Sequence, residues 1–301
     1  MITKCRYSVF DKNHEPHAEL RELLELLRSY GIKLDEESNS WRRDFAVYFD
    51  VTDASAKYRE IQETVDRIKS LDYVDVLEHH SVSFSEQELD AAKYLSVRSV
   101  YSGIMVQNRY IELQHDSGIR ESLFGFKNPL IAYEHVVQID NPRINKGASW
   151  RKDRQFCSNY ESTMRHLFCS DLARSVIETN HLEGAEFRPV YHYKKGEQIP
   201  DLWQLYPHEC EDFLTPGNRT KTRLCPVCGA RRYVTTDERD RLCLIEDKLP
   251  EGYDFFQSPP LVGARTGHPF YVVSGRVYQV LKKADIIRAL IFEPLEVVSH
   301  E

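Results

Sequence analysis

Apolar positions in the first hundred residues alternate between the spacing of strands and that of helices. Alternation or short apolar runs predict strands at 4–10, 44–51 and 72–84. Between them, residues 16–30 and 54–70 carry apolar side chains three and four places apart, which predicts two amphipathic helices. The order β-α-β-α-β predicts a small sheet covered by two helices. The apolar helix positions are Leu20, Leu23, Leu24, Leu27, Ile61, Val65 and Ile68.

The ends of these helices carry recognisable residues. Gly31 follows the first helix, where glycine can adopt the left-handed backbone that ends a helix. Thr52 or Asp53 precedes the second helix and can cap its first amide groups. We predict an N-terminal alternating α/β domain over residues 1–98 and a second domain over 99–301.

One pattern occurs twice in the second half of the chain. Residues 166–190 and 270–295 each contain a short apolar strand, a serine, an amphipathic helix and a strand that ends in F-x-P-hydrophobic. Ser170 and Ser274 precede the two helices, where a serine cap stabilises a helix by about 1 kcal/mol. The sequence predicts an α+β fold in which two related helix-strand repeats follow the N-terminal unit.

The segment between the two halves is less regular. Strands are predicted at 103–113 and 130–139. Residues 141–156 contain proline, glycine and basic residues without periodicity, which is typical of a linker or loop.

Composition and charge are those of a globular protein without a membrane span. Of 301 residues, 41% are hydrophobic and 29% charged, and no apolar run approaches the roughly 20 residues of a membrane helix. The N-terminal stretch lacks the small-residue cleavage site of a secretory signal. We expect a cytoplasmic protein with reduced thiols. The net charge of −7 weighs against general nucleic-acid binding.

A C-x-x-C-G turn is the clearest chemical motif. Cys225 and Cys228 have the spacing at which two thiolates can bind one zinc ion, and Gly229 permits the positive φ that the turn requires. Zinc takes four ligands, and the nearest upstream candidates are His208 and Cys210. The sequence predicts a structural zinc site formed by these four side chains.

Other uses of this turn, which lies in a zinc-knuckle-like insert over 201–243, stay open. Cys243, Cys157 or Cys169 could supply the missing ligands. A redox pair would open a helix, whereas the residues that follow the turn favour a strand. Catalytic zinc would need histidine-rich ligands and a glutamate base, and no such motif is present. We predict no enzyme, because the sequence shows no acid-base, nucleophile or phosphate-binding constellation either.

Basic residues bracket the turn and make a zinc-ribbon nucleic-acid binder the alternative function. Against this alternative stand the acidic net charge and the lack of aromatic residues between the basic ones, apart from Tyr233. A solvated loop is the favoured interpretation. The basic residues are Arg219, Lys221, Arg223, Arg231 and Arg232.

Several short motifs follow one another in the second half of the chain. They are L-W-Q-L from Leu202, the pair Pro207-His208, the C-P-V-C-G turn, the box Asp254-Phe255-Phe256, and the segment Val272 to Val277 with a closing F-E-P. With the preceding repeat, this order over about residues 85–297 resembles the double-CxxCG immunity proteins of bacterial toxin-exchange and polymorphic-toxin systems. That family carries two C-x-x-C-G turns, and this chain has one.

The resemblance implies a protein that binds and neutralises a cognate toxin in the bacterial cytoplasm, with no reaction of its own. An acidic surface can complement a basic toxin and speed association. We therefore expect the toxin contacts in the acidic stretches 34–38 and 86–90 and in the loops around 141–156 and 211–223.

Overall fold

The computed structural model confirms an α+β protein and divides it into a first unit that ends at Ser85 and a second unit that begins at Glu86. The described residues are 2–11, 17–39, 44–52, 57–71, 74–100, 102–104, 111–122, 130–144, 154–159, 166–217, 220–227, 229, 231–235, 242–259 and 268–299.

The first unit is a four-stranded antiparallel sheet with two helices. The strand order is β2-β3-β1-β4, and every pair of neighbours is antiparallel. Each helix joins two strands that are parallel to each other and separated by one strand, which is the split βαβ arrangement of ferredoxin-like domains. The elements are β1 Ile2–Asp11, α1 Ala18–Ser29, β2 Leu34–Asn39, β3 Asp44–Thr52, α2 Tyr58–Lys69 and β4 Val74–Ser83.

The apolar stripes of α1 and α2 form the core of this unit. All seven apolar helix positions predicted from the sequence are buried, and they pack with Tyr7, Val9, Val47, Phe49 and Val51 of the central strands. Burial of such side chains contributes about 1.5–3 kcal/mol each. Helical periodicity therefore identified the helix surfaces that the sheet covers.

The ends of the two helices test the predicted boundary signals. Gly31 has φ +69°, and the N–H of Ile32 donates to the carbonyl of Leu27 at 3.0 Å, which confirms the glycine-terminated helix end. The predicted cap of the second helix was wrong for Thr52, which lies in β3, because the helix begins later, after Lys57. Asp53 lies outside the described residues.

Strand β2 adds a sixth element that the hydrophobic pattern did not predict. Its sequence, LDEESN, has one apolar residue and no alternation. It pairs with β3 alone, at the edge of the sheet, and edge strands are often acidic because charge discourages pairing with other chains. The first unit is therefore β-α-β-β-α-β.

The second unit centres on a ten-stranded sheet. Its path is β20-β5-β19-β18-β13-β11-β10-β6, and β12 pairs with β13 and β9. Smaller sheets pair β14-β17-β21, β15-β16 and β7-β8. The elements are α3 Glu86–Ala91, β5 Tyr94–Ser99, β6 Ser102–Ile104, β7 Ile111–Ser122, β8 Leu130–Gln138, β9 Arg143–Ile144, β10 Phe156–Asn159, β11 Leu167–Cys169, α4 Asp171–Thr179, β12 Ala185–His192, β13 Gln198–Glu209, β14 Leu214–Thr215, β15 Thr220–Leu224, β16 Arg231–Thr235, β17 Cys243–Ile245, β18 Phe255–Gln257, β19 Tyr271–Ser274, α5 Gly275–Lys283, β20 Leu290–Pro294 and β21 Val297–Val298.

Residues 86–98 lie in the second unit, whereas the sequence analysis placed them in the first domain. They form α3 and most of β5, and β5 pairs with both β19 and β20. The start of α5 approaches the segment before β5 closely, because a Cβ on Gly275 would lie 2.3 Å from the carbonyl oxygen of Ala92. Pairing across about 190 positions of the chain cannot be read from local periodicity.

Residues 166–190 and 270–295 form the same local topology. In the first, β11 and β12 are parallel and β13 lies between them, antiparallel to both. In the second, β19 and β20 are parallel with β5 between them. Each helix, α4 or α5, joins the outer strands, so both segments are split βαβ units like those of the first unit. Both helices pack on one apolar cluster.

The start of each helix confirms the two predicted serine caps. Ser170 Oγ accepts the amide of Ala173 at 3.2 Å, and Ser274 Oγ accepts the amide of Val277 at 3.4 Å. Each serine hydroxyl also donates to a side chain, that of Gln155 for Ser170. These hydrogen bonds give both serines a structural role.

The two helices also end in the same way. The residue after each C-cap has a left-handed backbone, with φ 50° at His181 and 56° at Asp285. The N–H of the following residue donates to the carbonyl five positions earlier, which satisfies an otherwise unpaired group of the last turn. These bonds join Leu182 to Ile177 and Ile286 to Leu281, at 3.2 Å each.

Asp254 links the two split units through its buried carboxylate. One oxygen accepts the hydroxyl of Ser274 at 2.6 Å. The other accepts the amide of Glu183 at 3.1 Å and Nη1 of Arg276 at 2.9 Å. Nη2 of the same arginine donates to the carbonyl oxygen of Asn180, the C-cap of α4, at 2.6 Å. The carboxylate therefore joins the end of α4 to the start of α5.

We expect Asp254→Asn to lower the free energy of unfolding by about 2–4 kcal/mol, because it removes the charge that three donors face. Asp285→Asn is the matched control, since Asp285 pairs with Arg288 at the surface and asparagine tolerates a left-handed backbone. It should cost less than about 0.5 kcal/mol. Urea unfolding measures both, and equal losses would contradict the role assigned to Asp254.

Candidate functional site

The C-x-x-C-G turn connects the two strands of the hairpin β15–β16. Cys225 is buried, and the N–H of Gly229 donates to its carbonyl oxygen at 2.8 Å. Gly229 has φ +73°, as the sequence predicted for this position. Cys228 lies outside the described residues. The residues after the turn form β16 and no helix, which disfavours a thioredoxin-like redox pair.

The two upstream residues predicted as zinc ligands lie at and just beyond the end of β13. His208 is exposed, and its ring stacks on Tyr253 with centroids 4.1 Å apart. Cys210 is half-buried, its N–H donates to the carbonyl of Gln257 at 2.9 Å, and burial and Glu209 raise its pKa.

Metal binding at this turn stays a prediction from the sequence. Among the described residues, no three His, Cys, Asp or Glu side chains could hold one metal ion, so His208, Cys210 and Cys225 do not form such a group. The sequence spacing of Cys225 and Cys228 suits one half of a zinc site. The other half is not formed by the part of the chain that the structure describes, and no step below depends on zinc.

The base of the hairpin is anchored in the second unit. Tyr233 is 4% exposed, and its hydroxyl donates to the carbonyl of Leu214 at 3.1 Å. It packs in an apolar cluster that also contains Phe213, Leu244 and Phe256. The strand pair is therefore held by one of its aromatic residues.

The tip of the hairpin, Leu224, Val227 and Arg231, is exposed. Leu224 is 62% and Val227 63% exposed, the highest values among the large apolar side chains that the structure describes. Arg231 is also exposed and lies directly opposite Leu224 in the strand register. Paired residues of a hairpin share one face, so an aliphatic group and a guanidinium group are adjacent there.

The predicted basic residues do not share one environment. Arg232 is 3% exposed and therefore cannot contact a phosphate backbone without rearrangement. Arg223, its partner across the hairpin, is half-buried, whereas Arg231 is exposed. Arg219 and the side chain of Lys221 lie outside the described residues. Alternation alone could not show that Arg232 is buried, because this depends on what covers that face of the hairpin.

The acidic stretch 86–90 is largely paired within the protein. Glu86 and Asp90 each approach Nζ of Lys282 at 2.7 Å, and Gln279 donates to Asp90 at 3.0 Å. The hydrogen bond from Lys282 lowers the pKa of Asp90. Lys282 offsets part of the negative charge of this stretch and so reduces its attraction for a basic partner.

The other expected contact regions are described only in part. The stretch 34–38 lies in edge strand β2, where the side chains beyond Leu34 are outside the described residues. Residues 145–153 and 218–219 of the two expected loops also lie outside them.

The sequence did not predict a polar cluster that consists of the buried His166, Gln204 and Asn159 and the half-buried Gln138. The amides of Gln204 and Gln138 bond reciprocally at 2.8 and 2.9 Å. The Gln204 amide also donates to Nδ1 of His166 at 3.0 Å, and Asn159 Oδ1 accepts the His166 amide at 2.7 Å. The four residues come from separate segments, so no spacing in the chain reveals them.

The electrostatics of this cluster keep His166 neutral. Burial lowers its pKa to about 3, and the nearby His268 and Arg188 lower it in the same direction. Since Nδ1 accepts a hydrogen bond from Gln204, the ring proton is on Nε2. The cluster connects the ends of β8 and β10 and the middle of β13 to the start of β11, which indicates a structural role.

No protein-family model matches the chain, and no curated protein matches it. Among the described residues, no helix has the length and apolar character needed to cross a membrane. The proposals below therefore depend on the motifs of the sequence and the geometry of the hairpin.

We expect His166 to make the protein acid-sensitive. The unfolded chain binds a proton near pH 6.5 and the folded chain near pH 3, so stability falls as the pH drops through this window. The loss between pH 7 and pH 5 should be about 2 kcal/mol. His166→Asn keeps an acceptor near Nδ1 and should remove this difference in urea unfolding.

The exposed His181 supplies the control, because His181→Asn changes a histidine outside the polar cluster and asparagine tolerates its left-handed backbone. This variant should retain the full acid sensitivity of the wild-type chain. An identical pH dependence in wild type and His166→Asn would overturn the assignment.

Proposed function

We propose that this chain is an immunity-like protein of the bacterial cytoplasm that neutralises a cognate toxin by direct binding and catalyses no reaction. The observation that supports binding best is the hairpin β15–β16, whose base is buried and whose tip exposes aliphatic side chains. Exposed apolar groups on a rigid element are typical of interaction sites. The order of motifs in the second half of the chain supports the immunity assignment.

The structure changes where we place the toxin contact. In the stretch 86–90, Glu86 and Asp90 already have Lys282 as a basic partner. The hairpin has no acidic residue between 219 and 235 and offers Leu224, Val227 and Arg231 to a partner. We therefore propose the hairpin, rather than the acidic stretches, as the first region to test.

A zinc-ribbon nucleic-acid binder remains the second candidate, and the exposed Arg231 favours it. The burial of Arg232 removes one of the five basic residues from such a surface, and Tyr233 is too buried to stack on a base. This candidate predicts salt-dependent retention on single-stranded RNA that Arg231→Glu abolishes. Lys195→Glu, which changes an exposed basic residue outside the hairpin, should retain the wild-type behaviour.

We expect co-expression of the chain to restore growth to bacteria that produce the toxin encoded by the neighbouring gene, because the complex occludes the toxin. The two proteins should also elute together in gel filtration. A toxin from an unrelated system is the control and should remain lethal. Unrelieved toxicity together with separate elution would rule out the proposed function.

A further inference from the structure

The hairpin β15–β16 has a charge opposite to that of the rest of the chain. Five basic residues and no acidic residue occur between 219 and 235, in a protein with a net charge of −7. Among the described residues, Arg231 makes no ion pair. On an acidic protein, a basic element attracts acidic surfaces that its surroundings repel, and it repels basic surfaces that its surroundings attract.

The geometry of the tip favours a protein partner over nucleic acid. Single-stranded nucleic acid is bound by aromatic side chains that stack on bases. The only aromatic residue of the hairpin, Tyr233, is buried and bonded to Leu214. Leu224 and Val227 are aliphatic, and aliphatic groups beside arginine suit a desolvated protein pocket.

The base of the hairpin keeps this surface in place before a partner arrives. Five residue pairs, from Thr220 with Thr235 to Leu224 with Arg231, hold the strands in register. The N–H of Gly229 closes the turn on the carbonyl of Cys225. A preformed contact surface loses less conformational entropy on binding than a disordered loop does.

We propose that Leu224 and Val227 insert into an apolar pocket on the toxin and that Arg231 pairs with acidic residues at the rim of that pocket. This proposal rests on the proposed function, since the toxin is the occupant. The proposed contact surface is the basic hairpin, whereas the net negative charge of the chain suggests an acidic contact surface. The toxin surface is therefore acidic at this site.

The test uses the 301-residue chain and the purified toxin of the neighbouring gene, with calorimetry for the affinity and stopped-flow mixing for the association rate. Leu224→Asp combined with Val227→Asp should weaken binding by about 100-fold or more, because buried carboxylates replace apolar anchors. Arg231→Glu should slow association about tenfold at low salt, with a smaller effect at high salt.

Matched controls separate a lost contact from general damage. Val100→Asp and Ile139→Asp change apolar side chains that are 60% and 56% exposed outside the hairpin. Both should bind the toxin like the wild type. Circular dichroism of the hairpin variants should match that of the wild-type chain, since Leu224 and Val227 contribute little to the core.

The outcomes are distinguishable. If the wild type binds the toxin and the double variant binds equally well, the hairpin assignment is wrong and the proposed function stands. If the wild type does not bind the toxin, both fail. A third result also overturns the assignment: the wild type binds a 20-nucleotide RNA probe, Arg231→Glu does not, and toxin affinity is unchanged.

Discussion

The arrangement of the second unit depends on the hydrogen bonds that the carboxylate of Asp254 accepts. A buried charge is costly unless donors surround it, and here the donors come from both split βαβ units. The chain can approach this point closely because Gly184 lacks a side chain: with φ +88°, a Cβ there would lie 2.2 Å from the carbonyl oxygen of Phe255. The carboxylate of Asp254 thus fixes the end of α4, the start of α5 and the start of β18, the strand that follows Asp254. Both helices consequently cover the same core.

How much of the fold can be predicted from the sequence depends on how local its causes are. The caps at Ser170 and Ser274 and the helix end at Gly31 involve neighbours within five residues, and all three were predicted correctly. Strand β2 was missed because a polar edge strand has no apolar alternation to detect. The position of β5 was missed because its partners, β19 and β20, lie far along the chain.

The features of the candidate site also differ in whether local or long-range interactions cause them. The turn at Cys225 and the strand after it follow from short-range chemistry, and the structure has both. Short-range chemistry does not determine which face of the hairpin is covered. Arg232 was therefore grouped with the exposed basic residues, although it is buried. His166 and Gln204 gave no signal, because a polar cluster assembled from separate strands leaves single, unspaced residues in the sequence. Long-range packing decides burial, and burial decides what a polar side chain can do.

The arrangement of the core and the hairpin fits the proposed role of the chain as a binding protein. Its acidic surface provides solubility, and part of that acidity is compensated internally, as Lys282 shows. Within the hairpin, the exposed Arg231 lies opposite the aliphatic Leu224, and Tyr233 connects the hairpin to the core. In the proposed contact, the aliphatic side chains would supply affinity, and the locally inverted charge would supply orientation and selectivity. A partner that was basic throughout would be repelled by Arg231, so the sign of the local charge, not that of the whole chain, restricts the choice of partner.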